Sequence, residues 1–223
     1  MDKKKLAAEH AVASIEEGMV LGLGTGSTVY WMIQKLGELV KEGLKIKGVP
    51  TSQETEAMAM KLGIPLLQLA DVHEIDLTID GADEVSANLE LIKGGGGALF
   101  REKMIASISR RLLIVVDDSK VVTTLGEFPL PVEVVPFGWE LTSRKLRAFG
   151  CAPVLRFTDK GPFITDNGNY ILDCHFDTIH NPEELNKHLN LTIGVVENGL
   201  FVNMADTIIV GSNEGVYTKK KSM

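Results

Sequence analysis

The sequence predicts an α/β fold: a Rossmann-like parallel sheet covered by helices, with a smaller α+β lid domain, built on an antiparallel sheet, inserted before the last strand. Three observations predict it. Short apolar runs alternate with helix-like stretches between residues 19 and 117, which is the rhythm of βαβ units. Two of these runs lead into glycine-rich turns that open a helix, Gly22-Leu23-Gly24-Thr25-Gly26 and Gly94-Gly95-Gly96-Gly97. Near Pro129-Leu130-Pro131 the rhythm gives way to strand and turn signals. Residues 1–129 with 204–223 are therefore assigned to the parallel-sheet domain and 130–203 to the smaller one.

Taken in order, Lys4 to Glu17 reads as a helix stopped by Gly18, and Met19 to Leu23 as a buried strand. Val29, Met32, Ile33, Leu36 and Val40 recur at helical spacing, so a helix runs from Ser27 to about Val40. Leu44 to Val49 is a second strand. Thr51 with Glu54 forms a capping box for a helix ending at Gly63. Ile64 to Leu69 is a short strand and Asp76 to Asp80 another. A helix spans Ala98 to Arg110, and Arg111 to Asp117 carries the strongest buried-strand signal, Leu-Leu-Ile-Val-Val.

In the smaller domain Val132 to Val135 is a strand and Gly138 to Phe149 a helix closed by Gly150. Asp166-Asn167-Gly168-Asn169 predicts a hairpin between Ile164 and Tyr170. Asn181-Pro182-Glu183-Glu184 starts a helix, and Val195 to Val202 reads as a second hairpin. Thr207 to Val210 returns to the main sheet, and Lys219-Lys220-Lys221 reads as a solvated end.

Bulk properties narrow the function. The chain has 223 residues, a net charge of −7 and 44% hydrophobic residues. An acidic protein is poorly suited to non-specific nucleic-acid binding, which depends on neutralising phosphates with Lys and Arg. An anionic ligand must be captured locally. Cys151 and Cys174 form no CxxC pair and have no His cluster around them, which argues against a disulfide framework or zinc site and fits a cytoplasmic location. No signal-peptide core follows Met1-Asp2-Lys3-Lys4-Lys5, and no apolar run reaches membrane-spanning length.

The loop Gly22 to Thr28 joins a strand to a helix start, where unpaired N–H groups and the helix dipole favour an anion. The plainer alternative is a turn with Ser27 as cap. The dinucleotide pattern would need glycine where Ser27 stands and an acid near Val49-Pro50-Thr51. A P-loop would need lysine after Gly26. A compact phosphate monoester fits better than either. Asp80-Gly81-Ala82-Asp83-Glu84 follows a strand, at the sheet edge where ligands of such folds sit. Its plainer reading is a capped turn, and a metal site is a third. Lys93 precedes the four glycines and is suited to an oxyanion, although a lone lysine is usually a surface charge. Glu102 shares a helical face with Ala98 and Ile105. Burial there would raise its pKa, as a base near neutrality requires; the alternative is a solvent-facing Glu102 paired with Arg101 or Lys103. No HExxH, Cys/His cluster or G-x-S-x-G elbow is present.

These segments resemble type A ribose-5-phosphate isomerase over essentially the whole chain. The resemblance rests on Gly24-Thr25-Gly26-Ser27-Thr28, Asp80-Gly81-Ala82-Asp83-Glu84, Lys93-Gly94-Gly95-Gly96 and Arg101-Glu102-Lys103, continuing through Asp118-Ser119-Lys120, 128–134 and 165–169. Gly97, and Asp117-Asp118 before Ser119, depart from the usual pattern. The resemblance implies interconversion of D-ribose 5-phosphate and D-ribulose 5-phosphate, with no metal, no organic cofactor, no nucleic acid or membrane partner, and a homodimer or homotetramer. It implies that Thr25, Gly26, Ser27 and Thr28 bind the phosphate. Asp80, Gly81, Ala82, Asp83, Lys93, Gly94, Gly95 and Gly96 line the sugar site, with Lys120 a further contact. Glu102 is the implied proton acceptor, and Asp80, Asp83 and Lys93 assist catalysis. Lys4 matches an N-terminal phosphate-contacting lysine, with Lys3 and Lys5 as competitors for the role. Two rival readings are a non-catalytic sugar-phosphate sensor and a CoA-transferase-like enzyme with a glutamate nucleophile. A sensor of this fold usually carries a helix-turn-helix, for which the start of the chain leaves no room.

Overall fold

A computed structural model describes residues 2–220. The chain runs α1 (Lys3–Val12), β1 (Val20–Leu23), α2 (Ser27–Lys41), β2 (Lys47–Pro50), α3 (Gln53–Leu62), β3 (Leu77–Asp80), β4 (Glu84–Val85), β5 (Leu91–Ile92), α4 (Leu99–Ser107) and β6 (Leu112–Asp117). It continues through β7 (Leu130–Val134), α5 (Trp139–Leu146), β8 (Ala152–Leu155), β9 (Phe157–Thr158), β10 (Gly161–Pro162), β11 (Tyr170–His175), α6 (Pro182–Asn190), β12 (Val195–Asn198), β13 (Leu200–Phe201), β14 (Thr207–Ser212) and β15 (Gly215–Lys220). Two compact units result. One holds residues to Ala82, Arg101–Val121 and those from Met204 on; the other holds Asp83–Phe100 and Val122–Asn203. Segments 83–100 and 122–129, expected in the parallel-sheet domain, group with the second unit by their contacts.

The first unit is a six-stranded sheet in the order β15-β14-β6-β3-β1-β2. The five strands from β14 to β2 are parallel and β15 is an antiparallel edge. All six residues of β6 are buried, as expected of a parallel strand covered on both faces. Leu21, Leu23, Leu77, Ile79, Leu113 and Val115 of the sheet form one core with Val29, Met32, Ile33 and Leu36 of α2. α1 lays Ala7, Ala8, Ala11 and Val12 into the same core. Its small side chains bring its backbone close to β14: a Cβ on Gly211 would lie 2.0 Å from the Lys3 carbonyl oxygen. The strand order reverses between β1 and β3, and in such sheets the ligand crevice opens at the carboxyl ends of the strands flanking that reversal.

The second unit carries a four-stranded antiparallel sheet, β12-β7-β11-β8, and a small sheet, β13-β5-β4. One face of the larger sheet presents Leu130, Val132, Val134, Leu172 and Cys174 to a core shared with Leu146 and Leu189. Its opposite face carries Glu133 and Asp173 among Pro131, Ile171 and Val154. There the buried Glu133 carboxylate accepts hydrogen bonds from Thr165 Oγ1 (2.9 Å), Asn169 Nδ2 (2.8 Å) and Asn167 Nδ2 (3.2 Å).

Several local expectations are corrected. α1 stops at Val12 rather than Glu17, unwinding through i→i+3 bonds from Ala13 to Ile15. Ser52, not Thr51, caps α3, because the Thr51 hydroxyl is bound to the Leu23 carbonyl while Ser52 Oγ accepts from the Thr55 amide. The strand expected at 64–69 is a single bridge, Gly48 to Leu66; Pro65 has no N–H to extend it. The turn at 166–169 forms, but no hairpin follows, since both edges of β11 are taken by β7 and β8. The second hairpin also fails. At Gly199 the chain leaves the larger sheet, so β12 pairs with β7 and β13 with β5. Lys219 and Lys220, expected in a free end, lie in β15, where lysines discourage pairing with other chains; Lys221 falls outside the described residues.

Gly211→Ala is expected to lower Tm by at least about 3 °C, because the methyl group must displace the start of α1. Thermal unfolding followed by circular dichroism measures this, and an unchanged Tm would show that α1 does not press on β14.

Candidate active site

In the first unit β1 ends at Leu23 and the chain turns over β3. The Gly24 amide donates to the Ile79 carbonyl at 3.0 Å. A Cβ on Gly24 would lie 2.2 Å from Asp80 Oδ1 and 2.6 Å from Asp80 Cα, so only glycine lets the loop sit this low. Asp80 is 1% exposed. Its Oδ1 accepts from the amides of Gly81 (2.7 Å) and Thr25 (3.1 Å). The aspartate expected from sequence to face a ligand thus also holds the glycine loop in place.

Gly26, with φ +112°, occupies the N-cap position of α2. Only glycine adopts that backbone easily. Among the described residues no side chain caps this helix. Ser27, the cap in the plainer alternative, does not cap the helix but is its first residue. The early amides of α2 are left for a ligand or solvent to satisfy. Thr28 is buried at 9% exposure and Ser27 is exposed. A cavity of about 440 Å³ opens beside Gly26 and Ser27, walled by Tyr30, Ile33, Thr55 and Met58.

Thr25 is used differently from expectation. Its hydroxyl lies 2.7 Å from Thr51 Oγ1, 2.8 Å from Ser52 Oγ and 3.1 Å from Thr55 Oγ1. Thr55 Oγ1 also donates to the Gly24 carbonyl at 2.8 Å. This hydroxyl cluster fastens the loop to the start of α3. The sequence signal was Thr51-Ser52 with Thr55, which read only as a cap. The three N-terminal lysines also separate. Lys3 pairs with Asp118 at 2.8 Å, and Lys5 approaches Glu9 at 3.8 Å and lies over the Trp31 ring. Lys4 Nζ donates to Ser27 Oγ at 2.9 Å, placing its charge beside the uncapped helix start.

Glu102 lies in the first turns of α4 and is 5% exposed. Of the two readings left open by its spacing, the buried one holds. Lys120 closes the short 3₁₀ turn after β6 and is half-buried.

The second unit holds the remaining expected residues. Lys93 is 2% exposed, so it is no ordinary surface lysine. Its amide donates to the Gly199 carbonyl at 2.9 Å, and its Nζ lies 5.3 Å from the centre of the Phe201 ring. Asp83 Oδ2 accepts the Gly95 amide at 2.7 Å. A Cβ on Gly95 would meet Asp83 Oδ1 at 2.6 Å, so the glycine run is needed for this contact. Gly94 (φ +104°) and Gly97 (φ +81°) bracket a turn closed by a 2.9 Å bond from the Gly97 amide to the Gly94 carbonyl. Gly95 and Gly96 are exposed at its tip. Arg156, which no spacing in the sequence singled out, donates from Nη1 to the carbonyls of both Gly94 and Gly95 at 3.0 Å.

No group of three or more His, Cys, Asp or Glu side chains suited to a metal ion occurs among the described residues. No helix among them is long and apolar enough to cross a membrane.

Known proteins resemble this arrangement over the whole chain. Residues 47–215 match the family model of ribose 5-phosphate isomerase A (phosphoriboisomerase A). Ribose-5-phosphate isomerase A 1 of Oceanobacillus iheyensis is 54% identical over 97% of this chain and 97% of its own. Ribose-5-phosphate isomerase A of Bacillus anthracis is 57% identical over 97% and 99%. Among solved structures, a D-ribose-5-phosphate isomerase in complex with phospho-erythronic acid superposes with a TM-score of 0.96, at 43% identity and 98% coverage of both chains. The enzyme of Methanocaldococcus jannaschii does so with a TM-score of 0.95, at 44% identity and 99% coverage of both. With most of its length matched by the family model and relatives identical at more than half their positions, the chain belongs to the ribose 5-phosphate isomerase A family.

Proposed function

We propose that this chain interconverts D-ribose 5-phosphate and D-ribulose 5-phosphate, the reaction of its family, by ring opening followed by proton transfer through an enediolate. The observation that carries the proposal is the combination, within one unit, of an uncapped helix start and two buried carboxylates, Asp80 and Glu102. An uncapped helix start suits a phosphate, and a buried carboxylate suits proton transfer at carbon. The reaction is balanced internally: C1 is reduced as C2 is oxidised, and hydrogen moves as a proton. No redox cofactor is called for.

In this reading the amides of Gly26, Ser27 and Thr28, with the Thr28 hydroxyl and Lys4, hold the phosphate. Thr25 contributes through the loop it fastens. Asp80 transfers protons during ring opening, and Asp83 orients sugar hydroxyls. Glu102 removes the proton from C2 and returns it to C1. Lys93 and the amides of the Gly94–Gly96 turn other than that of Gly95, which Asp83 takes, stabilise the oxyanion, and Lys120 is a further contact to the sugar, whose site Gly81 and Ala82 also line. Phosphate binding is remote from the reacting carbons, so its energy serves to hold them in position. Phospho-erythronic acid, the ligand of the solved relative, is a phosphorylated acid whose planar carboxylate presents two oxygens as an enediolate does. It is the natural probe for this site.

We place the protein in the cytoplasm as a homodimer or homotetramer. Val135, Phe137, Leu141, Leu191 and Ile193 stand exposed in the second unit, and apolar surface of this kind is commonly covered by a partner. No partner chain is implied beyond further copies of this one.

The purified protein is expected to form ketose from ribose 5-phosphate with excess chelator present; no ketose refutes the proposal. In D₂O the ketose should carry deuterium at C1 where the proton held on Glu102 exchanges with solvent, and deuterium found there would exclude direct hydride transfer. Glu102→Gln should lower kcat by at least about 10²-fold with a smaller change in KM, and near-normal turnover would remove Glu102 from the role. Lys4→Met should chiefly raise KM while Lys5→Met leaves it unchanged; equal effects would deny Lys4 a place at the phosphate.

A further inference from the structure

We propose that Arg156 is a positioning residue for the isomerisation: it fixes the peptide groups of the Gly94–Gly97 turn so that the Gly95 amide meets Asp83 and the Gly96 amide is left to donate to the sugar. The inference rests on the glycine turn acting at the sugar site, as proposed above.

The geometry is specific. Arg156 Nη1 binds the carbonyls of Gly94 and Gly95, both at 3.0 Å. A trans peptide is planar, with C=O and N–H on opposite sides. Fixing the two carbonyls on the arginine side therefore turns the N–H groups of Gly95 and Gly96 to the other side. The Gly95 amide meets Asp83 there. The Gly96 amide points the same way at the exposed tip. A guanidinium charge on the carbonyls also polarises both peptide groups and makes their N–H groups stronger donors.

Arg156 is itself held from two further directions. Its Nε donates to Asp173 Oδ2 at 2.9 Å and its Nη2 to Asp173 Oδ1 at 2.5 Å, a two-pronged ion pair with the two side chains 15% and 21% exposed. Its guanidinium carbon lies 5.7 Å from the centre of the Phe163 ring. Phe163 also occupies the space that a side chain at Gly97 would take, since a Cβ there would lie 2.4 Å from the ring. Asp173 and Phe163 thus leave the guanidinium one free edge, and that edge meets the glycine turn. Glycine is the most flexible residue in a chain, so a four-glycine run does not hold two amides in place unaided. Arg156 supplies the constraint from a strand boundary about sixty residues away in sequence.

The test is kinetic, on the full-length protein, with Arg156→Met as the main variant and Asp173→Asn as a milder one that keeps the arginine but loosens it. Arg156→Met should lower kcat by about 10-fold to 100-fold, with KM for ribose 5-phosphate changed by less than about threefold. Inhibition by phospho-erythronic acid should weaken in step with kcat. Asp173→Asn should show the same pattern at smaller amplitude, and it decides the matter if the methionine variant does not fold. A purely structural role lowers Tm while leaving kcat and the inhibition constant of the folded protein unchanged, and that result overturns the proposal. A raised KM with normal kcat overturns it as well. A wild-type protein that makes no ketose refutes the underlying functional reading and the proposal with it. An active wild type with unperturbed variants refutes the role of Arg156 alone.

Discussion

Much of the first unit follows from how closely the Gly24 backbone approaches Asp80. With no side chain at Gly24 the loop descends onto the end of β3, and one carboxylate oxygen gathers the amides of Thr25 and Gly81. This brings the turn after β1 against the end of β3, where the strand order reverses. It also sets the start of α2. Gly26 opens that helix without a capping side chain, so its first amides are presented rather than consumed. The cost of leaving them unsatisfied is offset elsewhere in the loop, where Thr51, Ser52 and Thr55 converge on Thr25.

The second glycine turn reaches a comparable end by other means. No helix dipole is needed to orient its tip. Arg156 draws the carbonyls to one side, and Asp83 takes an amide on the other. The two acids on one face of the four-stranded sheet make this possible. Asp173 holds the arginine there, while Glu133 gathers Thr165, Asn167 and Asn169 into a compact turn beside it. Three donors converge on Glu133 Oε1, while its Oε2 is buried with no hydrogen-bond partner among the described residues; a buried carboxylate is tolerated to the extent that it is bonded.

The elements that could be read from the sequence are those whose signals are local. α2 and β6 were legible because apolar periodicity and run length report burial directly. So were the glycine loop, Asp80, Asp83, Lys93 and Glu102 as candidates, since their positions at strand ends and helix starts follow from chain order. What escaped was set by distant partners. The hairpins at 164–170 and 195–202 failed because β11 and β13 find better neighbours far away in sequence. The cap of α3 shifted by one residue because Thr51 was already engaged with Leu23. Arg156 left no trace in spacing or pattern, for its partners at Gly94 and Gly95 lie more than sixty positions earlier. Lys4 could not be told from Lys3 and Lys5 until each had found its own partner.

The placement of β14 bears on how the protein comes to be folded as it is made. β14 lies between β6 and β15, pairs in parallel with β6, and receives α1 on its Gly211. α1, ending at Val12, therefore docks on a strand that starts only at Thr207. While the ribosome extends the chain through residues 13–206, α1 has no Gly211 to press against and the sheet stops at β6. The second unit has no such wait, because all its segments precede β14. Closure of the parallel sheet waits until β14 has been made, and a chain truncated before Thr207 keeps an open strand edge on β6 and leaves α1 undocked from Gly211.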